Sequence, residues 1–183
     1  METTMPTPTA QTPKEKPFVL LIKIDDPITP VIAEYIIKSI DRATETKAEA
    51  LVILMDTPGG LVESTREIVK KMLASEVPTV VYVAPSGSRA ASAGVFITLT
   101  ANIAAMAPNT RIGSASPVQM EGKMDETMAK KVTNDLAAMV RGISEKRHRN
   151  AAWAEEAVRK AVSATETEAL KLNVIDLIAP DVQ

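Results

Sequence analysis

The sequence predicts an α/β domain with a mainly parallel sheet flanked by helices. Three observations predict it. Apolar runs of strand length alternate along the chain with longer stretches of helical periodicity. The runs close in Asp, Pro or Gly, the residues that punctuate strand ends. Apolar residues make up 45% of the 183, enough to fill the core of one domain without metals or disulfides.

The elements follow in order. Residues 1–16 are rich in Pro and Thr and lack an apolar stretch, so they read as a flexible leader; 17–183 read as the folded domain. Residues 18–24 form a buried strand. Thr29-Pro30 starts a helix, a hydroxyl N-cap followed by proline at the first helical position. Val31, Tyr35, Ile36 and Ile40 then recur at helical spacing. Residues 51–55 form a second strand, 63–74 a helix and 79–83 a third strand. A loop over 84–89 leads into a helix over 91–100, and 103–106 form a fourth strand. Residues 109–123 read as irregular, and a long helix runs to 146. Helices at 151–162 and 165–172, with Ser163 capping or preceding the second, lead to a last strand at 174–178. This alternation implies right-handed crossovers and a sheet covered on both faces, with a ligand site at the carboxyl ends of the strands.

Composition excludes several function classes. There is no cysteine, so thiol catalysis and thiolate metal sites are out. Basic and acidic residues, 21 and 23, are interspersed, and aromatics are 3%, which leaves neither a basic stripe nor stacking platforms for nucleic acid. The densest basic run, Lys146-Arg147-His148-Arg149, reads as a solvated helix end. The longest candidate membrane segment, 95–107, is too short and is broken by Thr98, Thr100 and Asn102. Any signal or membrane anchor is therefore expected outside this chain.

Glycine is scarce, with 7 residues, yet Gly59 and Gly60 stand together after the second strand and Gly94 opens a helix in Ser92-Ala93-Gly94. A glycine pair lets main-chain N–H groups turn outward, and a helix start offers unpaired N–H donors. The N–H groups of Gly60 and Ala93 are thus candidate oxyanion donors, with the Ser92 hydroxyl between them. Each feature alone has an ordinary structural reading, a plain turn and a simple N-cap. On adjacent strand ends they favour a site.

Asp56-Thr57-Pro58-Gly59-Gly60, followed by Gly87-Ser88-Arg89-Ala90-Ala91-Ser92-Ala93-Gly94, resembles the ClpP-class proteases. The closest similarity is to the NfeD-family membrane-bound serine proteases, related to signal peptide peptidase A. It runs over 18–179 and includes Ala107-Pro108-Asn109-Thr110-Arg111-Ile112-Gly113, Lys131-Val132-Thr133-Asn134, Arg149-Asn150 with Ala154-Glu155-Glu156, and 165–175. The resemblance implies a ClpP/crotonase-like fold, Ser92 as nucleophile and an oxyanion site at Gly59, Gly60 and Ala93.

A serine needs a base. The sole histidine, His148, sits in the charged run, and Ala115 stands where ClpP has its histidine. A lysine serves if it is neutral, and lowering its pKa from about 10.4 to about 8 corresponds to about 3 kcal/mol, within reach of burial. Lys123, Lys130 and Lys131 are candidates. Along the helix, Met128, Val132, Leu136, Met139, Val140 and Ile143 form the apolar stripe; Lys130 points nearly opposite, and Lys131 lies at its border, where it is placed either to fold its stem inward or to snorkel. The resemblance assigns the base to Lys131. Ser86, Ser88, Ser114 and Ser116 read as structural, Ser88 as a helix cap and Ser114 or Ser116 as cleft lining. Residues 115–123 read as a substrate flap. Leu61, Val62 and Val95 are expected in the cleft.

No metal or cofactor is expected. The resemblance further implies hydrophobic peptide substrates such as the C-terminal region of stomatin, a homodimer or higher homo-oligomer, and membrane association with an extracytoplasmic protease domain, this chain itself being soluble. Two other readings remain: a crotonase-type thioester enzyme with the same paired donors, and a non-catalytic scaffold that binds a membrane partner.

Overall fold

The computed structural model describes residues 16–117 and 125–182. The leader, apart from Lys16, and Lys123 with most of the expected flap lie outside the described residues.

The main sheet has five parallel strands: β1 (Val19–Ile24), β2 (Ala50–Met55), β3 (Thr79–Val83), β5 (Ile103–Met106) and β8 (Leu177–Ile178), in that spatial order. Helices α1 (Pro30–Glu45), α2 (Val62–Leu73) and α3 (Ala93–Thr100) are the crossovers. Period-two burial shows why these runs are strands. Ile22, Ile24, Leu51, Ile53, Met55, Val81 and Val83 point to the helices and are buried. All but Val83 form one core with Ile36 and Ile40 of α1, Ile68 and Met72 of α2, and Ile97 of α3, and Val83 belongs to the other core. Thr29 caps α1 as the sequence predicts, its hydroxyl accepting from Ile32 N, with Pro30 opening the helix.

A second, three-stranded sheet stands beside the first: β4 (Arg89–Ala91), β6 (Arg111–Gly113) and β7 (Ser163–Thr165). β4 pairs with β6 in parallel and β6 with β7 antiparallel. Its inner face, Ala90, Ile112 and Ala164, joins a core shared by α3, α4 (Glu126–Lys146) and α5 (Ala151–Arg159). α6 (Glu166–Lys171) follows β7 through a capping box of Thr165 and Glu168.

Several expectations are corrected. Helix α3 starts at Ala93 rather than 91, because the preceding residues pair as β4. The stretch expected to be irregular after 109 contains β6, whose three residues are too few to show a period. α5 ends at Arg159 and 163–165 turn into the sheet; Ser163 precedes the last helix, one of its two expected places, and the cap is Thr165. The last strand shortens to Leu177–Ile178 because Val174 and Ile175 are buried in the core and bond by their N–H groups to Ala169 O of α6 instead. The main sheet is not covered evenly on both faces. Val19, Leu21, Ile103 and Leu177 on its far side are exposed, and Tyr82 there is covered by the C-terminal segment, its hydroxyl donating to Ala179 O (2.7 Å).

The basic run at 146–149 is a solvated helix end only at Lys146 and His148; its two arginines are engaged. Arg149 is buried and donates through Nη1 to Leu99 O (2.9 Å) and Ala101 O (2.8 Å), and through Nη2 to Asp176. Arg147 Nε donates to Thr100 O (2.7 Å). Both guanidinium groups therefore satisfy the open carbonyls at the C-terminus of α3 and oppose its negative dipole end. Burial beside another cation lowers the Arg147 pKa, burial being the larger cause. His148 is exposed, as expected.

Candidate active site

Ser92 occupies the turn between β4 and α3, half-buried, with φ 51° and ψ −110°. A non-glycine residue at positive φ costs of order 1–3 kcal/mol unless its surroundings over-determine it. Here they do. Ser92 N–H donates to Gly113 O (3.1 Å), and Ser92 O accepts from Val95 N (3.0 Å). The preceding residue is held from the other side, with Ala91 N–H donating to Thr57 O (3.1 Å) and Thr57 N–H to Arg89 O (2.8 Å). A strained serine on a sharp strand-to-helix turn is the arrangement that presents a nucleophile above a sheet. Consistent with that, the Ser92 hydroxyl caps no N–H of its own helix.

The Asp56–Gly60 loop is clamped against this turn. Asp56 Oδ1 accepts from Arg89 N (3.0 Å), and Thr57 Oγ1 donates to Asp26 O (2.8 Å). Gly94 permits the approach, since a Cβ there would come within 2.8 Å of Thr57 Cγ2. Gly59, at φ 123°, lies so near the serine that a Cβ would sit 2.6 Å from Ser92 Cβ and 3.1 Å from its Oγ. Gly60 forms a parallel bridge with Ile28: Ile28 N–H donates to Gly59 O (2.8 Å), and Leu61 N–H donates to Ile28 O (2.9 Å). In such a bridge the groups of Gly60 itself point away from Ile28. Among the described residues the N–H of Gly60 has no main-chain acceptor. Ala93, the first residue of α3, offers the second free donor.

Both donors open on a cleft of about 120 Å³. Leu61, Val62, Phe96, Ala115, Pro117 and Leu136 give it apolar walls, and Ser92 stands at its edge. Leu61 and Val62 are where the sequence places them. Val95 is fully buried in the core instead, because it lies on the inner side of α3. Ser114 and Ser116 do not line the cleft; Ala115 and Pro117 do, and Ser116 Oγ donates to Val158 O (2.7 Å). Ser88 is buried in the β4 loop and caps no helix, since β4 intervenes. Ser86 is exposed.

The lysines on α4 differ in placement. Lys130 pairs with Glu126 (2.6 Å) and is exposed. Lys131 is exposed and is not among the cleft-lining residues, and no hydrogen bond joins it to Ser92 among the described residues. It lies one helical turn before Asp135, which pairs with Arg66 of α2. Val62, one turn before Arg66 on α2, lines the cleft, as does Leu136 of α4. The structure thus gathers Ser92, Gly59, Gly60 and Ala93 at one point, with Lys131 on the helix that walls the cleft. Sequence reasoning missed the elbow at Ser92 and the clamping of Thr57 to β4; the only signal for the latter was the short Asp56–Gly60 loop itself.

A parallel sheet flanked by helices, a small sheet at its carboxyl end and a serine held at an elbow beside a glycine pair define a ClpP-like domain. Residues 18–182 match the family model described as "NfeD1b, N-terminal domain", and the chain belongs to that family. It is 36% identical over 170 residues to the membrane-bound protease PH1510 of Pyrococcus horikoshii, covering 91% of this chain and 38% of that protein. It is 31% identical over 115 residues to the membrane protein NfeD1b of Bacillus subtilis, covering 63% and 26% respectively. The chain thus spans well under half the length of either relative.

Among solved structures, a serine-to-alanine variant of the 1510-N membrane-bound stomatin-specific protease matches with a TM-score of 0.85 at 36% identity, over 92% of this chain and 82% of that one. A lysine-to-alanine variant of the same protease, in complex with a substrate peptide, matches with a TM-score of 0.85 at 34% identity, over 91% and 77%. Among the described residues, no helix is long and apolar enough to cross a membrane.

Proposed function

We propose that this domain is a serine endopeptidase that cleaves peptide bonds in apolar segments through an acyl-enzyme. One observation carries the reading: Ser92 is held at positive φ beside two outward main-chain donors, at the edge of an apolar cleft. That arrangement suits attack on a carbonyl whose side chain fills the cleft, with Gly60 and Ala93 N–H groups holding the oxyanion. Relatives known as proteases, with serine and lysine variants among their structures, support it.

Lys131 is the proposed base. It takes the Ser92 proton, gives it to the leaving amine and then activates water for deacylation. The exposed position of Lys131 assigns a part to substrate. A peptide that runs from the cleft along α4 meets the lysine there, and its binding completes the site. The stomatin specificity of the 1510-N protease extends here as a proposal: a hydrophobic segment of a membrane-associated protein, met beside the membrane by an oligomer of this domain.

Ser92→Ala and Lys131→Ala, assayed on an apolar fluorogenic peptide, test the two roles. Each is expected to lower kcat at least about 10³-fold with folding unchanged. A serine-directed phosphonate should label Ser92. Cleavage by either variant at the wild-type rate removes that residue's role, and tight peptide binding with no turnover in the wild type leaves a binding scaffold.

A further inference from the structure

The outer face of the small sheet carries charge that the proposed chemistry does not use. Its register sets Arg89 of β4 beside Arg111 of β6, and Ala91 beside Gly113. Both arginines are exposed, and among the described residues neither guanidinium has a carboxylate partner. Among the described residues, the one hydrogen bond of the Arg111 guanidinium is a long one, Nη1 to Gly87 O at 3.5 Å. Like charges side by side on paired strands repel.

A hollow of about 260 Å³ lies over this face, lined by both arginines, Pro58, Ala91, Gly113 and Ser163. It reaches Ala91 and Gly113, the residues before and beside Ser92, while the apolar cleft begins at Ser92 and Ala93. The nucleophile therefore stands between an apolar hollow and a cationic one. Arg89 is three residues from Ser92, about 10 Å along an extended strand, a span that about three substrate residues also cover. Asp25, Asp26 and Asp56 line a neighbouring hollow that shares the two arginines. Asp25 is paired with Lys23 and Asp56 accepts the main-chain N–H of Arg89, while Asp26 remains the acid with which a substrate carboxylate competes for the two arginines.

We infer that Arg89 and Arg111 form a subsite for an acidic side chain of the substrate, about three residues beyond the scissile bond on the leaving-group side. This rests on the hydrolytic reading above and adds to it a substrate class: an apolar residue before the cut and an aspartate or glutamate after it. A planar guanidinium pair matches a carboxylate in charge and in donor geometry.

The test uses apolar peptides identical except for Glu, Gln or Lys at that position. The expected kcat/KM is about fivefold higher for Glu than for Gln at low salt, and the ratio falls toward one in 1 M salt. In the Arg89→Gln, Arg111→Gln double variant the ratio is expected near one. Binding to the Ser92→Ala protein, read by fluorescence anisotropy, measures the same preference without turnover. Equal affinity for the Glu and Gln peptides, or tighter binding of the Lys peptide by the acidic hollow, overturns the subsite and leaves hydrolysis standing. A Glu preference in binding, with no cleavage by the wild type, supports the subsite and overturns hydrolysis. Failure of every peptide to bind overturns both.

Discussion

Replacing Gly59 by alanine tests the site where the glycine pair comes nearest the serine. The new Cβ would stand 2.6 Å from Ser92 Cβ and 3.1 Å from Oγ, at a φ of 123° that side chains rarely adopt. Carbon atoms settle at about 3.5 Å or more, so one of the two residues must retreat by about 1 Å. Ser92 is tied to Gly113 and Val95, its neighbour Ala91 to Thr57, and Gly59 to Ile28, so neither retreats freely. The backbone strain costs about 1–3 kcal/mol, and the crowding a similar amount. A misplacement of about 1 Å at a reacting atom lowers rate about 10²-fold. Gly59→Ala is therefore expected to lose about 10²-fold in kcat/KM on an apolar peptide, with a lower Tm but a folded circular-dichroism spectrum. Activity within threefold of wild type, at an unchanged Tm, would refute the claim that this glycine is needed for close approach to the serine.

Two further outcomes follow from the scaffold. Arg149→Met strips the Leu99 and Ala101 carbonyls of their donor, while the part-exposed Asp176 still accepts from Ala104 N. Two buried carbonyls left unpaired cost about 2–4 kcal/mol, a fall in Tm on the order of 10 °C by calorimetry. Glu168 has its pKa lowered, first by the main-chain N–H of Thr165 and then by its hydroxyl. A carboxylate depressed on folding stabilises above its unfolded pKa, and that contribution disappears as pH falls through the folded value. Glu168→Gln should therefore lower stability at neutral pH and converge with wild type in acid, by urea titration at each pH.

The large elements were readable because each is long enough to show its period. β1 to β3 alternate inward isoleucine, leucine and valine with outward residues, and α1 declares both its cap and its stripe. The small sheet was not readable. Its strands have three residues each and are fixed by long-range partners, Thr57 for β4 and Gly113 for Ser163. The candidate site divides the same way. Gly59, Gly60, Ser92 and Ala93 announce themselves as a glycine pair and a helix start, but the contact between Gly59 and Ser92 depends on a clamp that no spacing reveals. The arginines of 147–149 were misread because a basic run after a helix is most simply met by water. What receives them is the end of another helix, 47 to 50 residues away in the chain.

The left-handed backbone at Ser92 has an effect on what natural selection can hold fixed. Glycine alone would rest there without penalty, so on folding energy by itself the position drifts toward a residue that has no hydroxyl. A domain that keeps an alcohol at this corner gives up part of its thermal margin for as long as the oxygen is of use, and the interactions around α3 replace what is lost.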